Sequence, residues 1–250
     1  MNPANKQEVK VALVTGSARR IGAAVVRKIH EAGYKVVIHC RYTLGEAHAL
    51  AMDLNRKRVG SALVLQRDLT GDGAAEELIK SISDWAGRLD VLVNNASIFT
   101  RTEGANCSAA DWEALFAINV KAPYLLSLAA RSLLIQHQGV IVNITDIHAE
   151  MPLKGYGVYC QTKAALEMQT KALAYEFAPE IRVNAVAPGS IIWPEHANSL
   201  NEAEKKKITG KILLQRTGSP EFIAQAVLAL VENPYITGQI LKVDGGRSCK

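Results

Sequence analysis

A β-rich run, Val9–Val14, passes directly into Thr15-Gly-Ser-Ala-Arg-Arg-Ile-Gly22. Helical spacing then continues to Gly33, with Ala24, Val25, Ile29 and Ala32 on one side, and a second strand-like run follows at Lys35–Cys40. Strand, small-residue turn, helix and strand in so short a span predict a parallel crossover unit, which few architectures accommodate. The alternation persists along the chain, with further strand-like runs at Ala62–Gln66, Asp90–Val93, Gly139–Thr145, Ile181–Val186 and Gln239–Asp244. Seven strands alternating with helical patterns predict an α/β fold, a doubly wound parallel sheet with helices on both faces. No linker, repeat or low-complexity stretch interrupts the pattern, so residues 1–250 are expected to form a single domain.

The opening unit also predicts a ligand. Glycines permit a tight turn and close backbone approach, and a helix N-terminus offers unpaired N–H groups and the positive end of a dipole. Thr15–Gly22 therefore reads as a phosphate cradle of the Rossmann-like kind. After the second strand a carboxylate would accept from the ribose hydroxyl of NAD; the chain has Arg41-Tyr42-Thr43 instead. A guanidinium and hydroxyls suit a 2′-phosphate, which predicts NADPH as cofactor.

Chemistry is concentrated between Asp146 and Lys163. Tyr159 and Lys163 are one helical turn apart and share a face. An ammonium beside a phenol is expected to lower the phenol's pKa and make it a usable proton donor. Asp146 ends the buried run Gly139–Thr145, which places a carboxyl at the C-terminal edge of a strand. The cofactor half is expected over about residues 9–145, and the catalytic and substrate half over about 146–250.

Composition excludes other classes. Hydrophobic residues are 48% and charged residues 21%, a globular balance, and no apolar run reaches membrane-spanning length. Met1–Glu8 is polar with no apolar signal core, so the cytoplasm is the expected location. Positive charge gathers at Lys205–Lys207 and Arg19–Arg20, and a solvated helix face explains the lysines better than nucleic acid does. Cys40, Cys107, Cys160 and Cys249 are dispersed and read as free thiols. His39, His148 and His196 lack ligand spacing and read as structural or solvent-facing, so no metal is expected. Cys160 reads as a small helix residue.

Thr15-Gly16, Gly22, Asp68, Asn94-Asn95-Ala96, Asn119, Tyr159-x-x-x-Lys163, Pro188-Gly189 and Thr237-Gly-x-x-Leu-x-Val-Asp-Gly-Gly246 occur together in this order. In these the chain resembles the short-chain dehydrogenase/reductases over nearly its whole length. The resemblance implies that Asp68 contacts the adenine, that Asn95-Ala96 lies along the cofactor, and that Asn119 supports a proton-relay water. It implies that Lys163 holds the nicotinamide ribose, and it extends the cofactor contacts to Gly16, Arg20, Ile21, Leu69, Ser97, Tyr159, Pro188, Gly189 and Ile191. A homotetramer is implied too, with the tyrosine-bearing helix at a subunit interface.

Two departures from that pattern are informative. Arg20 stands where the family has the middle glycine of its turn, and Asp146 stands at the position of its catalytic serine, thirteen residues before the tyrosine. Both departures, with Ser97 and Phe99, resemble the pteridine reductase branch, which implies a pterin as the small-molecule partner. Residues 190–210 are then the expected substrate loop, with Trp193 as pocket wall or loop packing. Arg20, Ser97, Phe99, Asp146, Tyr159 and Trp193 become the expected substrate contacts. A carbonyl reductase needs a neutral donor facing a developing alkoxide, and an ionised Asp146 would repel it and raise the pKa of Tyr159. Hydride transfer to a ring C=N carbon forms no oxyanion, so a carboxyl can orient Tyr159 and accept from pterin N–H groups. Reduction of a 3-oxoacyl thioester stays open as the alternative activity, and a non-catalytic NADP-binding sensor as the alternative class.

Overall fold

The structure, a computed structural model, describes residues 9–102, 107–193 and 200–249. His196, the Pro194-Glu195 part of the expected substrate loop and the polar start Met1–Glu8 lie outside the described residues. Strands β1 (Val11–Val14), β2 (Lys35–Cys40), β3 (Ala62–Gln66), β4 (Val91–Asn94), β5 (Val140–Ile144), β6 (Arg182–Pro188) and β7 (Ile240–Val243) match the seven expected runs to within two residues. They form one parallel sheet in the order β3-β2-β1-β4-β5-β6-β7. The chain winds outward to β3, then returns to place β4 beside β1. That reversal opens a crevice beyond the strands' C-terminal ends, where ligands of doubly wound sheets bind.

Helices α1 (Arg20–Glu31), α2 (Leu44–Lys57), α3 (Ala74–Ala86), α4 (Ala109–Phe116), α5 (Ala122–Gln136), α6 (Gly157–Phe177), α7 (Glu202–Thr209) and α8 (Pro220–Glu232) connect the strands. Alternate strand residues enter opposite layers. Ala12, Val14, Val36, Ile38, Val91 and Val93 pack with Val25 and Ile29 of α1, Leu54 of α2 and Val227 of α8. Val11, Leu13, Val37, Leu92 and Ile141 pack with Ile82 of α3, Leu126 of α5 and Phe177 of α6. Burial on both faces is why the strands read as continuous apolar runs. Ala32, expected on the buried side of α1, is exposed at its C-terminal end, where the helix has already turned away.

One buried polar line fixes the sheet against α6. Asn94 donates to Asn143 Oδ1 (2.9 Å), and Asn143 donates to Thr170 Oγ1 (2.9 Å). Buried amides that lose such partners cost about 1–3 kcal/mol each, so the line holds α6 in register with β4 and β5. Among the described residues, no helix is long and apolar enough to cross a membrane.

Candidate active site

The turn after β1 is held by its own Thr15 and by side chains from two other segments. Thr15 Oγ1 accepts from the backbone N–H groups of Asn95 (2.9 Å) and Ala96 (3.0 Å). The Asn95 amide donates to the carbonyls of Thr15 (2.8 Å) and Gly16 (2.9 Å). His39 Nδ1 accepts from Gly16 N–H at 3.2 Å while Nε2–H donates to the Arg67 carbonyl at 3.0 Å. That pairing needs the neutral ring, and burial takes its pKa down to about 4. The expectation that His39 is structural holds, and its task is to orient the turn.

The turn fits a nucleotide's phosphates. A Cβ on Gly22 would sit 2.6 Å from the Gly16 carbonyl oxygen and from Ser17 Cα, so only glycine lets α1 begin so close to the turn. A cavity of about 400 Å³ opens there, lined by Gly16, Arg20, Ile21, Arg41, Tyr42 and Thr43, and by Leu69, Asn95, Ala96 and Ser97. Arg41 pairs with Asp68 at 2.6 Å and lies over the Tyr42 ring, 4.6 Å from its centroid. Asp68 also accepts from Thr70, and it does not line the cavity. Both partners of the pair are partly exposed, and such pairs contribute at most about 1 kcal/mol. A competing phosphate can therefore recruit Arg41.

Arg20 has a left-handed backbone, φ 54°. It keeps the conformation that a glycine adopts without cost, at a strain of about 1–2 kcal/mol. Its Nη2 donates to the Trp193 carbonyl at 3.3 Å, and it lines both the nucleotide-side cavity and a second one. Backbone strain at a residue shared by two cavities is the pattern of a functional position.

The second cavity, about 450 Å³, contains the reactive groups. Tyr159 Oη donates to Asp146 Oδ2 at 2.8 Å, and Asp146 Oδ1 accepts from His148 N–H at 2.9 Å. Asp146 caps a short 3₁₀ turn, Ile147–Ala149, just past β5, while Tyr159 and Lys163 stand in the first two turns of α6. Of the two opposed effects expected on the phenol, lowering by Lys163 and raising by Asp146, the raising one prevails. Burial first, then the charge of Asp146, hold Tyr159 well above its ordinary pKa. Lys163 Nζ donates to the Ile144 carbonyl at 2.9 Å and lies 5.7 Å from the phenol ring centroid. Burial takes the lysine's own pKa down to about 8.

Phe99 stacks on Tyr156 (centroids 4.3 Å, planes 8° apart) and meets Tyr159 edge-on at 4.8 Å. The aromatic wall is thus a pair rather than a single ring. Trp193, Ile191, Pro188 and Gly189 line the same cavity, with Ser97 and Asn95 at its junction with the first. Asn119 stands behind the wall. Its Oδ1 accepts from Ile98 N–H (2.9 Å) and Ser97 Oγ (3.0 Å), and its amide donates to Ile98 O and Thr162 Oγ1. It sits in a π-helical turn, Ala117–Lys121, between α4 and α5, a distortion that recurs at functional sites.

The family model described as "Enoyl-(Acyl carrier protein) reductase" matches residues 16–248. The chain belongs to the short-chain dehydrogenase/reductase superfamily. It is 35% identical to "Pteridine reductase 1" of Leishmania tarentolae, covering 95% of this chain and 96% of the relative. It is 37% identical to the 3-oxoacyl-(acyl-carrier-protein) reductase of Aquifex aeolicus, covering 96% and 98% respectively. Identity to "Carbonyl reductase family member 4" of Xenopus tropicalis is also 37%, over 95% and 97%.

Arg20 and Asp146, the two positions expected to depart from the family pattern, line one cavity. Of the expected site residues, the fold brings all but Asp68 and Asn119 to a cavity wall. Sequence reasoning missed Tyr156, Arg247 and the cavity role of His148. Tyr156 was within reach, since it lies three residues before Tyr159 at the start of the same helix. His148, read as structural or solvent-facing, packs against the Met151 carbonyl through Nδ1 (2.7 Å) and lines the cavity. Nothing local to Arg247 signals its position, because β7 brings it in from the other end of the chain.

Proposed function

We propose that this short-chain dehydrogenase/reductase is an NADPH-dependent reductase of pterins or dihydropterins, in which Tyr159, tied to Asp146, delivers the proton. The observation that carries this reading is the 2.8 Å Tyr159–Asp146 hydrogen bond inside a cavity walled by stacked aromatic rings. The cofactor, when bound, supplies the hydride. The chain's own residues do the rest. Asp146 orients the phenol, and its oxygens can accept from ring N–H groups. Lys163, charged below about pH 8, offsets the carboxylate's charge and supports proton release from a phenol that burial keeps protonated. The Phe99–Tyr156 stack offers a flat apolar surface to a flat ring. Arg20 at the junction can serve phosphate and substrate together, and Arg41 can receive a 2′-phosphate.

The relatives named as 3-oxoacyl and carbonyl reductases favour a second reading, reduction of a 3-oxoacyl thioester. Asp146 opposes it, since a carboxylate facing a developing alkoxide raises the barrier. NADPH consumption measured with dihydrobiopterin, dihydromonapterin, dihydrofolate and an acetoacetyl thioester separates the two. Turnover of a dihydropterin that Asp146→Ser reduces about 100-fold is expected. Thioester turnover alone, raised by Asp146→Ser, would establish the second reading. A homotetramer is part of the proposal. It is supported by the exposed apolar residues Tyr124, Leu125 and Leu128 on α5 with Met168 and Tyr175 on α6.

A further inference from the structure

Arg247 enters the substrate cavity from the end of the chain farthest from the first strand. It follows the Gly245-Gly246 turn after β7, where Asp244 accepts from the N–H groups of Gly246 (2.9 Å) and Ser248 (2.7 Å). Those two bonds flank the arginine and fix its backbone. Its Nη1 donates to Ser190 Oγ at 2.6 Å, and among the described residues that hydroxyl is the guanidinium's one hydrogen-bond partner. A guanidinium carries five N–H donors in a planar fork, so most of this one's capacity is available to an occupant of the cavity. The side chain is half-buried, and it lines the same space as Asp146, Tyr159 and the Phe99–Tyr156 stack. Neither the proton relay nor the phosphate turn uses it. Burial disfavours its charge, and the Asp146 and Asp244 carboxylates oppose that loss.

We propose that Arg247 is a substrate-orienting residue, whose guanidinium donates to the acceptor edge of a flat heterocycle while Asp146 accepts from its N–H groups. This rests on the pterin reading and deepens it, because it states what the cavity selects: a planar ring with a carbonyl or ring-nitrogen acceptor beside N–H donors. A donor fork and a carboxylate acting on different edges of one ring fix its rotation in the plane, which a single charge cannot do. A 3-oxoacyl chain presents acceptors only. It would satisfy Arg247 and leave Asp146 facing oxygen lone pairs.

The test compares wild type, Arg247→Met, Arg247→Lys and Ser190→Ala by steady-state kinetics with dihydrobiopterin, by NADPH affinity from fluorescence, and by thermal melts. Arg247→Met is expected to raise the dihydrobiopterin KM about 10- to 100-fold, with kcat changed far less and NADPH affinity unmoved. Arg247→Lys, which keeps the charge and loses the fork, should recover part of that. Ser190→Ala removes only the tether and should have the smaller effect. An unmoved KM in both arginine variants overturns the proposal, as does a Ser190→Ala variant that reproduces Arg247→Met, since the arginine would then merely fasten the 190 segment. A wild type inert toward dihydropterins overturns the pterin reading itself, and this inference with it. That result is distinct from an active wild type indifferent to Arg247.

Discussion

The two cavities meet at Arg20, Ile21, Asn95 and Ser97, yet they are built differently. On the nucleotide side a glycine turn and a helix start lie beside the side chains of Arg41, Tyr42 and Thr43. The polar side chains there, Thr15, Asn95 and His39, hold the turn in shape. On the substrate side the surface is side chain, with Phe99, Asp146, Tyr156, Tyr159, Trp193 and Arg247 converging from separate segments. A glycine turn recognises what all nucleotides share, and the side chains after β2 are left to discriminate among them. A side-chain cavity changes its chemistry with each substitution. Residue 146 is one such position: a carboxyl there brings into the cavity an acceptor and a charge that an alcohol would not.

That contrast can be broken at its strongest point first. Tyr159→Phe should lower kcat about 10²- to 10⁴-fold with NADPH affinity little changed, read by stopped-flow and fluorescence titration. A phenylalanine variant that retains full turnover would mean the proton comes from elsewhere in the cavity. On the nucleotide side, Arg41→Ala should cut the NADPH-over-NADH preference at least about tenfold. It loses the guanidinium that would meet the 2′-phosphate in that cavity. An unchanged cofactor ratio would move the 2′-phosphate away from this turn.

The pH profile gives a smaller and more gradual effect. Lys163 is cationic below its depressed pKa of about 8 and neutral above it. The support it lends Tyr159 is therefore present at neutral pH and lost as pH rises through that value. Log kcat/KM should bend downward near pH 8, and a flat profile to pH 10 would show that the charge is not needed. The smallest effect is expected where the cavities join. Arg20→Gly relieves the left-handed strain at φ 54° and should raise Tm by about 2–4 °C, while increasing KM for substrate and NADPH together. A lower Tm would show that the bond to the Trp193 carbonyl outweighs the strain.

The order of β1, α1 and β2, the glycine turn, and the Tyr159–Lys163 spacing were all legible because each depends on a short stretch with its own periodicity. Strands buried on both faces write continuous apolar runs, and a phosphate turn needs glycine where a Cβ would strike backbone. Asp146 was legible too, as a carboxyl at a strand end where an alcohol was expected. Long-range packing decided the rest. Burial, which no local pattern reports, is the largest cause that holds the phenol's pKa up, ahead of the Asp146 charge. Arg41 is paired across the nucleotide cavity's edge with Asp68, a contact made by neighbouring strand ends. Arg247 reaches the substrate cavity only because β7 pairs with β6 and carries the final turn over Ser190. Periodicity and turn chemistry are written within a few residues, whereas charge environments depend on which distant segments the sheet order sets side by side.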